Sequence, residues 1–280
     1  MKKLTISFFA IISIVRCFAQ QPSQILPLST QLTISSAKTY NKNNEVLNVF
    51  LIVNTGNQSV GTGFLIRSGN IITCEHVVHG AKLNQLFLVS PNGSQYKLTN
   101  FITDTVRDLA ILTLSNNLPG GFDLGDDNRT FIGNQVYTWG YPLGYSGPSP
   151  LLSVGYVAGV IAQHPYPNSY VKHFVINGAF NPGNSGGPLI DSGKIVGIVQ
   201  SKAAPMTPYI FSALKALHDN NSGFMYTNTD ATGKVTQVSE AQIIEQILVY
   251  YRELAQVMIG EAVSVNELKH FLKEQKVIGY

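Results

Sequence analysis

Three short stretches carry side chains whose types and spacing could cleave a peptide bond by nucleophilic attack. In Asn181-Pro182-Gly183-Asn184-Ser185-Gly186-Gly187-Pro188-Leu189, a serine hydroxyl sits inside a run of turn residues. Serine becomes a nucleophile where a tight turn presents it and backbone N–H groups point at the oxygen that gains charge. Glycines on both sides of Ser185 let the main chain bend in that way and approach a substrate closely. The same run also reads as an ordinary Gly/Asn turn. In Asn70-Ile71-Ile72-Thr73-Cys74-Glu75-His76-Val77-Val78, His76 ends an apolar strand, a place where a lone histidine is usually a packed structural residue. In Asp104-Thr105-Val106-Arg107-Asp108-Leu109-Ala110-Ile111-Leu112, Asp108 stands at the mouth of an apolar strand. It is either a solvated turn residue or the carboxylate that holds His76 in the tautomer able to take the Ser185 proton. Asp104 is a rival acid, but no strand directly behind it fixes its position.

The elements that would position these residues are short. From Val46 onward, apolar runs such as LNVFLIV, GTGFLI, NIITC, LAILTL, QVYTWG, HFVI and KIVGIV alternate with Gly, Asn, Pro or Ser. Many short strands with turn punctuation predict an all-β sandwich or barrel. Residues 20–45 are polar and read as a mobile lead-in, and residues 204–237 give no firm signal. In the tail, Ser239 and Ser264 each precede Gln or Glu by three residues, a capping-box pattern that predicts two helices. Ile243, Ile247, Tyr251, Leu254 and Met258 form one stripe on the first, read as a face packed on the barrel.

Together the three stretches resemble the trypsin-like serine peptidases, and among them the bacterial HtrA (Deg) group. The order His, Asp, Ser is that of chymotrypsin-type enzymes. Gly61-Thr62-Gly63, Asp108-Leu109-Ala110, Leu124-Gly125-Asp126 and Gly140-Tyr141-Pro142-Leu143-Gly144 are similar to further motifs of the group in the right order. Ala179–Pro188 is similar to its A-I-N-P-G-N-S-G-G-P at all positions but one. The resemblance covers roughly residues 46–202. It implies two six-stranded antiparallel β-barrels of the chymotrypsin type with C-terminal helices, and a cleft where His76, Asp108 and Ser185 form a catalytic triad. It also implies an oxyanion hole from the backbone N–H groups of Gly183 and Ser185, and an edge strand at Gln200 and Ser201 that binds substrate. By the same likeness Ala179 forms the base of the specificity pocket and Phe180 its wall, which favours cleavage after small apolar residues. Cys74 and Glu75 depart from what the group usually carries before the histidine, no PDZ-like domain follows, and residues 203–222 look inserted.

The resemblance implies a serine endopeptidase that works through an acyl-enzyme and needs no cofactor. Hydrophobic residues make up 44% of the 280 and charged residues only 12%, which suits a well-buried β-rich core. Residues 1–19 have a basic start, an apolar run from Leu4 to Val15 and a small residue at Ala19, the pattern of a secretory signal peptide. Its removal takes Lys2, Lys3 and Arg16 from the 19 basic residues and leaves the rest balanced against 16 acidic ones. A neutral chain without a basic cluster gives nucleic acid or an acidic membrane no purchase. Cys74 is then the sole cysteine, expected to be buried and inert, and the histidines show no paired metal-ligand spacing. The expected organisation is a signal peptide at 1–19, a polar segment at 20–45, a peptidase domain at 46–237 and helices packed on the barrel at 238–280. The expected partners are polypeptide substrates, with no stable membrane insertion and oligomerisation open, in the periplasm or outside the cell. A non-enzymatic peptide-binding module on the same fold is the alternative.

Overall fold

The computed structural model describes residues 26–37, 39–40, 44–164, 170–200, 208–220, 223–229, 235–254 and 259–280. The expected signal peptide and Ser201 lie outside these residues. Strands β1 (Val49–Asn54), β2 (Ser59–Leu65), β3 (Ile71–Thr73), β4 (Leu86–Val89), β5 (Gln95–Tyr96), β6 (Leu98–Asp104) and β7 (Leu109–Leu114) form one antiparallel sheet in the order β5-β4-β1-β2-β3-β7-β6. β1 is a continuous apolar run and is buried at every position. Only Lys97 separates β5 from β6, so the two act as one bent strand. Its first part pairs with β4 and its second with β7, which carries the ring of pairing almost full circle. Counted this way the sheet is the expected six-stranded barrel.

The second barrel is closed, in the order β10-β15-β12-β11-β8-β9, from β8 (Gln135–Gly140), β9 (Leu151–Gln163), β10 (Val171–Asn177), β11 (Pro188–Asp191), β12 (Lys194–Gln200) and β15 (Gly260–Ser264). β15 corrects the reading of residues 238–280 as helices alone. It inserts between β10 and β12, pairing His173 with Val263 and Gln200 with Glu261. Its five residues, Gly260-Glu261-Ala262-Val263-Ser264, are too few and too mixed to stand out as a strand, yet all are buried. Val136, Val157, Phe174, Ile176, Phe180, Leu189, Val196, Val199 and Ala262 fill this barrel. A larger cluster runs from inside the first barrel across to Tyr137, Trp139 and Ile198 of the second, and on to Leu268, Phe271 and Leu272.

Two further corrections concern what lies outside the barrels. The polar lead-in holds a helix, α1 (Leu28–Ser36), anchored where the buried Thr30 hydroxyl donates to the Pro91 carbonyl. Nearby, the buried Glu45 carboxylate accepts from Tyr137 Oη at 3.0 Å and Trp139 Nε1 at 3.3 Å, tying residues before β1 to the second barrel. Between β12 and β15 the chain builds α3 (Pro208–Asp219), a hairpin of β13 (Met225–Thr229) and β14 (Val235–Ser239), and α4 (Glu240–Leu254). The capping box at Ser239 forms, with Gln242 N–H donating to the Ser239 hydroxyl and the Gln242 side chain accepting from Ser239 N–H. α4 packs mainly on α3 and β14 among the described residues, and Ile247 and Tyr251 of the expected stripe are 47% and 66% exposed. Met258 and the side chain of Leu254 are outside the described residues. Hydrophobic periodicity marks an apolar stripe on a helix but does not say what covers it.

Candidate active site

His76 is the second residue of a one-turn helix, α2 (Glu75–Val78), that begins as β3 ends. Buried Val77 and Val78 pin this turn to the first barrel. A backbone N–H in the first turn has no partner within the helix, and that of His76 donates to Asp108 Oδ1 at 2.9 Å. His76 Nδ1 lies 2.8 Å from Asp108 Oδ2. The carboxylate thereby holds both the ring and the backbone of one residue. Because a carboxylate only accepts, Nδ1 carries the proton in neutral imidazole and Nε2 is left as the acceptor.

Asp108 ends the turn between β6 and β7, with Asp104 paired to Leu109 across it. Asp104 Oδ1 accepts from the N–H groups of Val106 and Arg107 at 2.9 and 3.0 Å, an Asx turn. This turn leaves Asp108 with φ of 54°, a left-handed conformation that aspartate tolerates better than bulkier residues. Asp104 is thus occupied with the turn and with Arg107, whereas Asp108 faces His76. Gln200, at the end of β12, donates from Nε2 to Asp108 Oδ2 at 2.9 Å. Its side chain contacts Asp108 directly, a role that the expected edge-strand placement did not include.

Ser185 belongs to the loop before β11 and is 4% exposed. The loop is seated on Thr62 of β2. Thr62 N–H donates to the Ser185 carbonyl at 2.8 Å, and Thr62 Oγ1 donates to the Gly183 carbonyl at 2.7 Å. Gly186 has φ of +83°, and a Cβ there would lie 2.2 Å from Thr62 O and 2.9 Å from Cys74 N. The serine loop therefore packs directly on the strand ends that lead to His76. Gly183 has φ of +96°. The Pro182 carbonyl accepts from Leu143 N–H at 2.6 Å. In a trans peptide C=O and N–H point opposite ways, so the Gly183 N–H is aimed away from Leu143. It has no partner among the described residues, whereas the N–H groups of Asn184, Gly186 and Gly187 are all bonded within the protein. Thr62 was missed as a positioning residue, although the Gly-Thr-Gly run around it signalled close backbone approach.

Ala179 is half-buried, while Phe180 is 2% exposed among the core side chains of the second barrel. Cys74 is buried and free, with Sγ 3.4 Å from the Val199 carbonyl. Sγ lies within 4.8 Å of ligand atoms of His76 and Asp108, so these three are the one group of potential metal donors among the described residues. Burial, and secondarily the Asp108 charge, push the Cys74 thiol well above its ordinary pKa.

Residues 61–198 match the model of the trypsin-like peptidase domain family. A protein of Pseudomonas savastanoi pv. phaseolicola named as a DegP-like periplasmic serine endoprotease is 33% identical over 143 residues, 50% of this chain and 29% of that protein. Serine protease HhoA of Synechocystis sp. is 32% identical over 143 residues, 49% of this chain and 36% of its own length. The chain thus spans about a third of the length of these curated relatives. The crystal structure of Rv3671c protease in its inactive form superposes with a TM-score of 0.53 at 17% identity, over 89% of this chain and 97% of that one. The HtrA-type protease AlgW with tripeptide gives 0.50 at 19% identity, over 71% and 68%. At these identities the likeness is one of fold.

Proposed function

We propose that the protein, in which residues 61–198 match the trypsin-like peptidase domain family, is an exported serine endopeptidase of the HtrA type, with Ser185 as nucleophile, His76 as general base and Asp108 as the orienting carboxylate. The observation that carries this reading is the paired contact of Asp108 with the N–H and Nδ1 of His76, beside a serine loop seated on Thr62. In the first step Ser185 Oγ bonds to the substrate carbonyl carbon and its proton passes to His76 Nε2. The carbonyl oxygen takes up the negative charge and is received by the N–H groups of Gly183 and Ser185. The Gly183 N–H, aimed away from Leu143 and without a partner among the described residues, supports that assignment. Collapse of this intermediate breaks the C–N bond, with His76 returning the proton to the leaving amine. Water then repeats the sequence on the acyl-enzyme, releasing the acid and restoring Ser185.

For the residue just before the cleaved bond, the reading is Ala or Val. Ala179 brings no carboxylate to pair with Lys or Arg, and burying a cation unpaired costs several kcal/mol. With Phe180 packed into the barrel core, the pocket has little room to deepen. A fluorophosphonate probe on the purified protein tests the activity: covalent labelling of Ser185 supports it, and an unlabelled native protein leaves the peptide-binding module in its place. Cleavage of a mixed peptide library should concentrate after Ala and Val, and dominant cleavage after Arg or Lys would overturn the pocket assignment.

A further inference from the structure

The last described helix, α5 (Val265–Glu274), follows β15 without a break and reaches from one barrel to the other. Its apolar face, Leu268, Phe271 and Leu272, is buried in the main core. Glu267 and Glu274 stand seven residues apart, two helical turns, and so project on one side. That side faces the turn carrying Asp108. Arg107 Nη1 and Nη2 each meet one oxygen of Glu274 at 3.0 Å, a two-point pair, and Nε meets Glu267 Oε2 at 3.4 Å. Nη1 also meets Asp104 Oδ2 at 2.5 Å. Arg107 and Glu267 are largely buried, with 20% and 13% of their side chains exposed. Burial works against the Arg107 charge, and Glu274 and Asp104 outweigh it, holding the guanidinium above its ordinary pKa. Glu267 Oε1 accepts from Lys172 N–H of β10 at 3.2 Å, so the helix is fixed to the second barrel through the same carboxylate.

We propose that Arg107, gripped by Glu267 and Glu274 of α5, is a positioning residue that sets the orientation of Asp108 toward His76. Asp108 follows Arg107 directly and occupies a left-handed conformation, which the chain keeps only when its neighbours over-determine it. Asp104 shapes the turn from within, Gln200 holds the carboxylate from β12, and α5 fixes the guanidinium from outside. Without that grip the turn can relax toward ordinary backbone angles, and the Asp108 carboxylate swings from Nδ1. The proposal rests on the peptidase reading above.

The full-length chain tests it with Arg107→Met, Arg107→Lys and the milder Glu274→Gln, beside Asn266→Ala as a control. Asn266 holds the opposite end of α5 to Asp127. A misplacement of about 1 Å can cost on the order of 100-fold in rate. Arg107→Met is therefore expected to lower kcat by roughly 10- to 100-fold with KM changed less than about twofold. Arg107→Lys should recover part of the loss, and Glu274→Gln should show a smaller fall of the same kind. The downfield proton resonance of the His76 Nδ1–H should weaken or shift in Arg107→Met and remain in Asn266→Ala. Asn266→Ala should lower Tm while leaving kcat within about twofold. If kcat and the resonance are unchanged in Arg107→Met, or Asn266→Ala matches its kcat loss at equal Tm, the positioning role is refuted. Should Arg107→Met fail to fold, Glu274→Gln decides by the same two readouts. An unlabelled Ser185 in the wild-type chain would instead refute the peptidase reading itself.

Discussion

At the scale of single residues, the division of labour between two neighbouring carboxylates follows from their hydrogen bonds. Asp108 accepts from His76 and Gln200, whereas Asp104 is spent on the turn and on Arg107. Asp108→Asn should therefore lower kcat by about 10⁴-fold, as should Ser185→Ala and His76→Ala, with double variants no worse than the worst single one. Asp104→Asn should cost at least tenfold less than Asp108→Asn, measured as kcat on a peptide substrate. Equal losses would mean that the wrong acid has been assigned. Cys74 gives a pH-dependent counterpart. Its folded pKa is raised by burial, so the stability that it contributes as a neutral thiol is complete below the unfolded thiol value. That contribution is lost as pH rises toward the folded value. Relative to Cys74→Ala, the wild-type Tm should fall as pH climbs through the ordinary thiol range, read by thermal melts at pH 7 and pH 10. A constant difference between the two proteins would contradict it.

Among the elements, the serine loop and β2 meet so closely that no side chain fits between them. Gly186→Ala would drive a Cβ into the Thr62 carbonyl oxygen of β2 and into Thr73 Oγ1 of β3, at a positive φ. It should lose activity and several °C of Tm together, since a few kcal/mol of strain and overpacking shift a domain of this size by that much. An unchanged melt would mean that the loop docks elsewhere. Only one side of this contact was legible in the sequence: the Gly/Asn turn around Ser185 is a local feature that survives without knowledge of the packing, whereas the role of Thr62 depends on it. What sequence could not supply is which distant partner a side chain prefers. Glu267 stands three residues after Ser264 and reads as half of a capping box. In the structure Ser264 does cap, accepting from Asn266 N–H at 3.1 Å, while Glu267 turns instead to Arg107 and Lys172. Ser264 is fully buried at the end of β15, opposite Gly197 of β12, and the charge-assisted bond to a buried guanidinium is the stronger use of the carboxylate. β15 was missed for the related reason that a five-residue strand declares itself only by its neighbours.

For the whole molecule, the segment 201–259 leaves the second barrel at Gln200 and returns next to Glu261, residues that face each other across a ladder. Barrel closure does not pass through it. Replacing this segment with a short hairpin turn should leave the barrels folded, with closure of a shorter loop contributing on the order of 2 kcal/mol. Far-ultraviolet circular dichroism and a cooperative melt would check this, and a chain unable to fold would mean that α3 and α4 support the barrels after all.

β15 also imposes an order in time. It lies between β10 and β12, two strands made long before it, so a chain growing from its N-terminus carries a gap in the second barrel until Ser264 has been added. The groups that hold Asp108 from α5 come later still, with Glu274. Pairing between such distant segments is slow to form. A nascent or partly translocated chain therefore already contains His76, Asp108 and Ser185 but not the frame that aligns them. On the proposed reading, peptide cleavage would be withheld until the chain has been made at least as far as Glu274.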